Sequence, residues 1–393
     1  MNKMTVKDLD LKDKTVLMRT DFNVPLDASL AITDDTRIRE TLPTIKYILQ
    51  KGCKKLILIS HLGRPDGKRV DTYSLRPVAV HLQVLLGEPV KFLDDCVGEE
   101  IKKQALSASE KVVLLENLRF HAEEELNEDA FAAQLASLGE LFVNDAFGTA
   151  HRAHASTVGV TRHLKSVAGF LLEKEIQYLG NAVQSPGRPF VVILGGAKVS
   201  DKIGVIENLL PKCDAILIGG GMAYTFLKSK GVAIGNSKLE KDKLELAKNL
   251  LEKARALNKA LVLPVDHIVV DTVDPAAKTS VVGESIPDGK IAVDIGPRTV
   301  AVFKENLSAA KTIVWNGPLG IFEMPPFSKG TEEIVRYIAT LKATSIIGGG
   351  DTAAAVAQFK LADKMTHIST GGGASLEFLE GKVLPGITAL SDK

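Results

Sequence analysis

The chain has 393 residues, of which 45% are hydrophobic and 25% charged, and its formal net charge is +1. This length predicts two domains, because single hydrophobic cores rarely grow beyond about 250–300 residues. The near-neutral charge gives no argument for a nucleic-acid or membrane partner, so any basic site must be local. The three cysteines lie far apart and lack metal-binding spacing, which indicates a reducing compartment.

The amino-terminal residues lack the apolar core of a signal peptide. No apolar run approaches the ~18 residues that a membrane-spanning helix needs. We therefore expect a soluble, cytoplasmic protein.

Short apolar runs alternate with amphipathic segments in the first half of the chain. The runs are residues 16–18, 56–59, 112–115 and 141–143, and helical spacing of apolar residues marks 42–49 and 129–138. Strand–helix alternation of this kind predicts a parallel sheet covered by helices on both faces.

Basic and amide side chains follow each of these four apolar runs. They are Arg19, Asn23, His61, Arg64, Asn117, Arg119, His151, Arg152 and His154. In a parallel sheet the loops after the strands emerge at one edge, where ligands bind. Local pairing explains any single arginine better, but four loops with the same pattern predict a pocket for a small anion carrying phosphate or carboxylate. His151 and His154 are interpreted as shaping this basic pocket.

Asp21 needs another role, because a carboxylate repels the charged end of an anion. Asp21 and Asn23 are expected either to hydrogen-bond a hydroxyl of the same ligand or to cap the next segment. The sequence leaves both possibilities open.

A change of pattern follows residue 168. Leu172, Ile176, Leu179 and Val183 recur at helical spacing, and a proline- and glycine-containing break follows at 184–189. A helix that ends in such a break predicts a domain boundary, which we place near residue 186.

Glycine clusters follow the apolar runs of the second half. They are Gly195 and Gly196, Gly219 to Gly221, Gly317, Gly348 to Gly350, and Gly371 to Gly373. So many glycine turns favour a close approach of the backbone to a large ligand. A polyphosphate is the ligand that such an approach binds best. Lys198 and Lys202 are predicted to share one side of a helix's first turns, as phosphate contacts or as a solvated face.

The stretch 345–355 shows this pattern most clearly. An apolar run ends in three glycines, then Asp351 and Thr352, then an alanine-rich segment. This order predicts a strand, a tight turn and a helix whose N-terminus favours phosphate, with Asp351 placed to hold magnesium. The alternative is a plain strand–turn–helix with glycines for turn geometry.

Several nucleotide-binding and catalytic motifs are missing from the sequence. There is no G-x-x-x-x-G-K-[ST], no complete G-x-G-x-x-G and no G-x-S-x-G. A nucleotide-dependent dehydrogenase is therefore disfavoured. A non-catalytic anion sensor is also disfavoured, because it should lose Lys198 or Asp351.

Eight segments in one order closely resemble the phosphoglycerate kinase family over the whole chain. They are residues 19–25, 61–65, 116–120, 147–154, 195–199, 315–318, 348–352 and 369–375. The resemblance implies two doubly wound, Rossmann-like α/β domains with parallel sheets that face each other across a cleft and are joined by a helix. It implies an N-terminal 3-phosphoglycerate-binding domain of residues 1–172 with the tail 381–393, an interdomain helix 173–186, and a nucleotide-binding domain 187–380.

The implied reaction is reversible phosphoryl transfer between 1,3-bisphosphoglycerate and Mg-ADP, which gives 3-phosphoglycerate and ATP in glycolysis. The resemblance places the glycerate ligand on Asp21, Asn23, Arg37, His61, Arg64, Arg119 and Arg152. It places the nucleotide on Lys202, Gly219, Gly220, Pro318, Glu323, Gly349, Gly350, Asp351 and Thr352, with Mg²⁺ on Asp351.

The acceptor in the ATP-consuming direction is a carboxylate that is already ionised at neutral pH, so no general base is needed. Catalysis should then rest on in-line positioning after domain closure and on charge stabilisation of the moving phosphoryl group. The candidates for that role are Lys198, Arg37 and the backbone amides of Gly372 and Gly373. The resemblance also implies a monomer.

Overall fold

The computed structural model describes residues 2–393, and the chain divides into two compact units. Unit 1 contains the chain up to Gln177 together with Val383–Lys393, and unit 2 contains Tyr178–Lys382. Each unit is built on a six-stranded parallel sheet, so the predicted α/β class with two Rossmann-like units is confirmed. The domain limits at 172, 186 and 380 remain predictions.

The strands of unit 1 are β1 Thr15–Arg19, β2 Lys55–Ile59, β3 Val90–Leu93, β4 Val112–Leu115, β5 Leu141–Asn144 and β6 Lys165–Ala168. Their order in the sheet is β3-β4-β2-β1-β5-β6. Every residue of β1, β2 and β4 is buried. The strands therefore read as continuous apolar runs, as expected of a parallel sheet covered on both faces.

Helices cover both faces of this sheet. They are α1 Thr36–Gln50, α2 Arg76–Leu86, α3 Glu99–Ser107, α4 Ala122–Leu126 and α5 Asp129–Ala136. Val16 and Met18 pack in one hydrophobic cluster, and Leu17 between them packs in the other. Alternate residues of β1 thus point to opposite faces, which is the two-residue period of a strand.

The helix predicted around Leu172 to Val183 is confirmed as α6, Phe170–Gln184. Its first residues belong to unit 1 and those from Tyr178 onward to unit 2. The C-terminal segment, with α14 Pro385–Thr388, returns to unit 1. There Ser391 N donates to Ser166 O at 2.9 Å and Met4 N donates to Ser391 O at 2.9 Å.

Unit 2 contains two sheets. Its strands are β7 Phe190–Leu194, β8 Ala215–Ile218, β9 Ala260–Val262, β10 Asp266–Val270, β11 Ser280–Gly283, β12 Ile291–Ile295, β13 Thr312–Asn316, β14 Thr344–Gly348 and β15 His367–Ile368. The parallel sheet has the order β15-β14-β13-β7-β8-β9, and a small antiparallel sheet has the order β11-β10-β12. The sequence reasoning did not identify the antiparallel sheet.

The remaining helices all belong to unit 2. They are α7 Ile203–Leu209, α8 Met222–Ser229, α9 Leu244–Ala256, α10 Pro297–Leu307, α11 Lys329–Ile338, α12 Gly350–Gln358 and α13 Gly373–Leu379. The predicted strand, turn and helix over 345–355 are confirmed by β14 and α12. Within residues 2–393, no helix combines the length and apolarity required to cross a bilayer.

Candidate active site

The loops after β1, β2 and β4 meet at the carboxyl edge of the sheet in unit 1. Arg37, from the first turn of α1, hydrogen-bonds the Asp21 carboxylate through Nη1. Gly63 N donates to Asn23 Oδ1 at 2.9 Å, and Arg119 Nη1 donates to Gly63 O at 2.9 Å. Hydrogen bonds therefore connect the three loops and the start of α1 at this edge, as the parallel topology predicts.

His61 lies at the buried centre of this edge. Its Nδ1 accepts a hydrogen bond from Arg19 Nη2 at 3.3 Å and lies 3.9 Å from Asp21 Oδ1. Burial, followed by the charges of Arg19 and Arg119, holds the pKa of His61 well below its usual range. The imidazole is therefore neutral and carries its proton on Nε2, because Arg19 has no lone pair with which to accept one.

Arg119 and Arg152 share the Glu125 carboxylate. Arg119 Nε and Arg152 Nη1 lie 3.4 and 3.8 Å from Glu125 Oε1, and Arg152 Nε donates to His151 Nε2 at 3.2 Å. Burial lowers the pKa of Arg119 to about 10, so the guanidinium stays charged at neutral pH. Arg64 is exposed, and none of residues 2–393 forms an ion pair with it. Of the predicted anion-binding arginines, Arg64 is thus the one outside these contacts.

Sequence reasoning missed a buried ionic network behind these arginines. Arg19 is fully buried and donates from Nε to Ser156 Oγ at 2.8 Å. Ser156 N in turn donates to the buried Glu124 carboxylate at 2.9 Å. Burial raises the pKa of Glu124, and the charge of Arg19 opposes that rise. Arg19 itself was predicted as a basic residue of this edge, and its position as the last residue of the otherwise apolar strand β1 is the signal that could have indicated its burial.

His154 was predicted to shape the basic pocket, and it lies buried beside the same network. Its Nδ1 is 3.8 Å from Glu124 Oε1. Burial, followed by the charges of Arg119 and Arg19, lowers the pKa of His154 to about 3. The imidazole is therefore neutral and adds no positive charge to this edge.

In unit 2, three predicted glycine turns pack backbone against backbone. A Cβ on Gly195 would lie 2.1 Å from Pro318 O, one on Gly220 2.6 Å from Gly196 N, and one on Gly317 2.3 Å from Gly195 O. The contact of the three loops with one another therefore requires glycine at these positions. The sequence argument attributed such glycines to a ligand, and this packing accounts for these three without one.

Other glycines begin helices at the same edge. Gly349 has φ +88° directly before α12, and Gly372 has φ +51° directly before α13. A Cβ on Gly350 or Gly372 would meet no atom within 4 Å, so the surrounding space is open. Free backbone N–H groups at such helix starts favour an anion.

Thr352 joins α12 to the loop after β13. Its buried Oγ1 accepts a hydrogen bond from Gly317 N at 2.7 Å. The hydroxyl was predicted among the nucleotide contacts, and in this structure it fixes a turn of the glycine cluster.

The predicted placement of Lys198 and Lys202 on the first turns of one helix is wrong. Helix α7 begins at Ile203, so Lys198 lies exposed in the preceding loop and Lys202 is the N-cap residue. Lys202 Nζ hydrogen-bonds Asn316 Oδ1. Burial lowers the pKa of Lys202, and the charges of Asp201 and Asp351 oppose that shift. Lys202 and Asp351 thus lie close enough to interact electrostatically.

Asp351 is suited to bind a divalent cation whose other ligands are mostly phosphate oxygens and waters. Its carboxylate is exposed in the first turn of α12, beside the open backbone at Gly350. Mg²⁺ in nucleotide sites commonly uses one or two carboxylates together with phosphates and waters. Among residues 2–393, three metal-binding side chains come together at Asp95, Cys96 and His121 in unit 1, and none is a predicted site residue.

A predicted ribose contact, Glu323, is exposed in the loop after β13. Pro318, which was predicted to border the nucleoside, accepts a hydrogen bond from Gly196 N at 2.9 Å. Gly219 N donates to Leu194 O at 2.9 Å and so ties the ends of β7 and β8 together. These predicted contacts thus lie on loops of the glycine-rich edge of unit 2.

The chain thus contains two parallel α/β units, one with clustered arginines at its sheet edge and the other with glycine-rich helix starts beside a half-buried lysine. The family model for phosphoglycerate kinase matches residues 6–382. The chain belongs to the phosphoglycerate kinase family, as its motifs predicted, and is therefore an enzyme of the kinase class.

Individual relatives agree with this assignment over their full lengths. The phosphoglycerate kinases of Koribacter versatilis and Acidobacterium capsulatum are 58% and 57% identical to this chain, and each alignment covers 100% of both chains. The solved phosphoglycerate kinase of Coxiella burnetii matches with a TM-score of 0.90 at 42% identity. That of Pyrococcus horikoshii matches with a TM-score of 0.85 at 33% identity, and both structural matches cover 98% of each chain.

Proposed function

We propose that this protein transfers the acyl phosphate of 1,3-bisphosphoglycerate to Mg-ADP, reversibly, giving 3-phosphoglycerate and ATP in glycolysis. The observation that carries the proposal is the arginine-rich edge of unit 1, where Arg37, Arg119 and Arg152 converge beside a neutral His61. Guanidinium forks bind carboxylate and phosphate with matched geometry, and this edge would take the glycerate ligand.

Asp21 has a defined place in this proposal. Its carboxylate is already neutralised by Arg37, so it can accept a hydrogen bond from the glycerate hydroxyl without repelling the ligand. Asn23 and Arg64 complete the proposed contacts. Unit 1 up to residue 172, with the tail from 381, is proposed as the glycerate-binding domain.

The nucleotide is proposed to bind the glycine-rich edge of unit 2, within residues 187–380. The backbone at Gly349 and Gly350, which is open around Gly350, would receive its phosphates, with Lys202 and Thr352 beside them. Gly219, Gly220 and Pro318 would border the nucleoside, and Glu323 would contact the ribose. Asp351 would hold Mg²⁺, which when bound neutralises charge on the phosphate oxygens.

The transfer itself requires charge stabilisation and no proton acceptor, because the acceptor carboxylate is already ionised. Lys198, Arg37 and the backbone amides of Gly372 and Gly373 are proposed to bind the phosphoryl oxygens during in-line displacement. Since the two ligands belong to different units, direct transfer requires the units to bring them together and to exclude water. We also propose a cytoplasmic monomer without nucleic-acid or membrane partners.

Isothermal titration of 3-phosphoglycerate and Mg-ADP, separately and together, tests this proposal alongside a coupled assay of ATP formation. Both ligands should bind and the assay should show turnover. Failure of either ligand to bind would overturn the proposal. Lys198→Ala should lower kcat by about 100-fold or more, because it removes a charge that acts on the transition state. An unchanged kcat and kcat/KM would remove Lys198 from the mechanism.

A further inference from the structure

The proposed catalytic lysine sits on a short arch, Gly196–Ser200, that we name the Lys198 arch. At its first end, Gly196 N donates to Pro318 O at 2.9 Å and Met222 N donates to Gly196 O at 3.1 Å. Ala197 and Lys198 follow, and both are exposed. Within residues 2–393, the Lys198 side chain has no hydrogen bond or ion pair that would fix its position. Its location therefore depends on the two ends of the arch.

At the other end of the arch, three donors converge on one carboxylate, that of Glu240. Val199 N hydrogen-bonds Glu240 Oε2, and Ser200 N donates to the same oxygen at 3.2 Å. Ser200 Oγ donates to Glu240 Oε1 at 2.6 Å. Hydrogen bonds to an ionised acceptor are shorter and about twice as strong as neutral ones. Glu240 thus holds the two residues that directly follow Lys198.

Glu240 is itself anchored to the body of unit 2. Its backbone N donates to Oγ1 of the buried Thr225 on α8 at 3.2 Å. Lys243 N donates to Glu240 O at 3.0 Å, directly before α9 begins. The carboxylate therefore links the Lys198 arch to two helices that lie outside the loop.

No salt bridge accounts for the position of this carboxylate. Among the described residues 2–393, no lysine or arginine forms an ion pair with Glu240, and the nearby Lys243 Nζ pairs with Asp242 at 2.8 Å. The oxygens of Glu240 are instead directed at the arch through the three hydrogen bonds above.

We propose that Glu240 is a positioning residue for phosphoryl transfer, which fixes the Lys198 arch so that the ammonium group reaches the transferring phosphoryl oxygens. The inference rests on the catalytic role proposed above for Lys198. A displacement of about 1 Å at a catalytic group can cost about a hundredfold in rate. Because Glu240 acts through a group that stabilises the transition state, its loss lowers kcat and leaves both KM values nearly unchanged.

A double-mutant cycle over Glu240→Ala, Lys198→Ala and the double variant tests the proposal by steady-state kinetics with 3-phosphoglycerate and Mg-ATP. Glu240→Ala should lower kcat between about tenfold and a hundredfold. The double variant should be no slower than Lys198→Ala alone, because the arch then carries no lysine to position. Additive losses would overturn the role of Glu240. An inert Lys198→Ala would instead overturn the proposed role of Lys198.

A matched control exists in unit 1. Asp27 Oδ1 accepts hydrogen bonds from Ser29 N at 2.8 Å, Ser29 Oγ at 2.6 Å and Ala31 N at 3.0 Å, the same three kinds of donor. Asp27→Ala should leave kcat within about twofold, because the segment 27–31 that Asp27 holds contains no proposed site residue. A loss of kcat in Asp27→Ala equal to that in Glu240→Ala would contradict the proposal.

Conservative variants separate positioning from simple folding. Glu240→Gln can still accept the two backbone hydrogen bonds, so it should recover most of the kcat that Glu240→Ala loses. If Glu240→Ala does not fold, Ser200→Ala removes one hydrogen bond and should lower kcat by about threefold to tenfold at unchanged KM. An unchanged kcat in both Glu240→Gln and Ser200→Ala, with Glu240→Ala unfolded, would show that Glu240 serves stability alone.

Discussion

Each unit places its candidate site residues at the carboxyl edge of its own parallel sheet, but the two edges are formed in different ways. In unit 1 the edge rests on buried polar side chains that hydrogen-bond one another, as Arg19 does with Ser156 and His61. In unit 2 the corresponding loops bring main chain against main chain at Gly195, Gly220 and Gly317. Charges on the first edge are thus part of its fold, whereas the second edge depends on backbone shape.

The largest effect that this comparison predicts is on stability, at Arg19. Arg19→Leu leaves Glu124 as an uncompensated buried carboxylate, which typically costs about 3–5 kcal/mol of unfolding free energy. Urea unfolding of the purified variant measures this loss. Arg162→Leu is the control, because Arg162 forms an exposed pair with Asp129 and should cost less than about 1 kcal/mol. Equal losses in the two variants would show that the buried network carries no special stability.

A charge in unit 2 should behave in the opposite way. Lys202→Met should weaken Mg-ADP binding by about tenfold to a hundredfold, because hydrogen bonds to charged groups contribute about 1.5–3 kcal/mol. Its unfolding free energy should change little, since burial already disfavours the ammonium, as the lowered pKa of Lys202 shows. Titration calorimetry measures the affinity.

Two controls accompany Lys202→Met. Lys248→Met removes an exposed lysine of α9 and should leave both ligands' affinities unchanged. Binding of 3-phosphoglycerate to the Lys202 variant should also be unaffected. A loss of stability as large as that of Arg19→Leu would erase the distinction between the two edges.

The same contrast explains what could be predicted from the sequence. Apolar runs followed by Arg19, His61 or Arg119 identified strand ends, because burial on both faces of a parallel sheet gives strands a continuous apolar pattern. The glycines of 348–350 correctly predicted the turn before α12 for a similar reason. In both cases the local pattern and the tertiary environment agree.

Features that depend on distant partners could not be predicted in this way. Glu124 lies within three consecutive glutamates that resemble a solvated helix face, and Ser156 and Arg19 decide its burial. Lys198 and Lys202 were assigned to a helix by their spacing. The segment that carries Lys198 is not helical, because Glu240, some 40 positions further along the chain, holds its backbone.

The backbone packing of unit 2 can be tested at Gly220. Gly220→Ala should cost about 1–3 kcal/mol and weaken Mg-ADP binding, because Gly220 has φ +65° and the new Cβ would lie 2.6 Å from Gly196 N. Gly231→Ala separates the two causes, since Gly231 has φ +85° but no atom within 4 Å of its Cβ position. Thermal unfolding measures both variants. If the two variants lose the same stability, the positive φ alone explains why residue 220 is glycine, and the packing of the loops does not.

The smallest effect concerns one buried carboxyl group in each unit. Burial raises the pKa of Asp145 in unit 1 and of Asp294 in unit 2 to about 7. Leu172 N donates to Asp145 Oδ1 at 3.1 Å, and Gly330 N donates to Asp294 Oδ2 at 2.6 Å. These hydrogen bonds oppose the effect of burial, and the nearby Glu173 and Glu333 reinforce it.

The sign of the resulting pH dependence follows from proton linkage. Between about pH 4 and 7 the unfolded chain has lost these protons and the native protein keeps them, so each group lowers stability as the pH rises. Above pH 7 neither state holds the proton, so the contribution of the group to the free energy of unfolding is constant. Asp145→Asn removes one such term, so its stability relative to the parent should rise by at most about 1.4 kcal/mol per pH unit from pH 5 to 7. Asp294→Asn should show the same slope, measured by urea unfolding at several pH values. If the stability difference between either variant and the parent did not change with pH, the carboxyl group at that position would ionise normally despite its burial. The two units would then differ in a way that their shared fold does not predict.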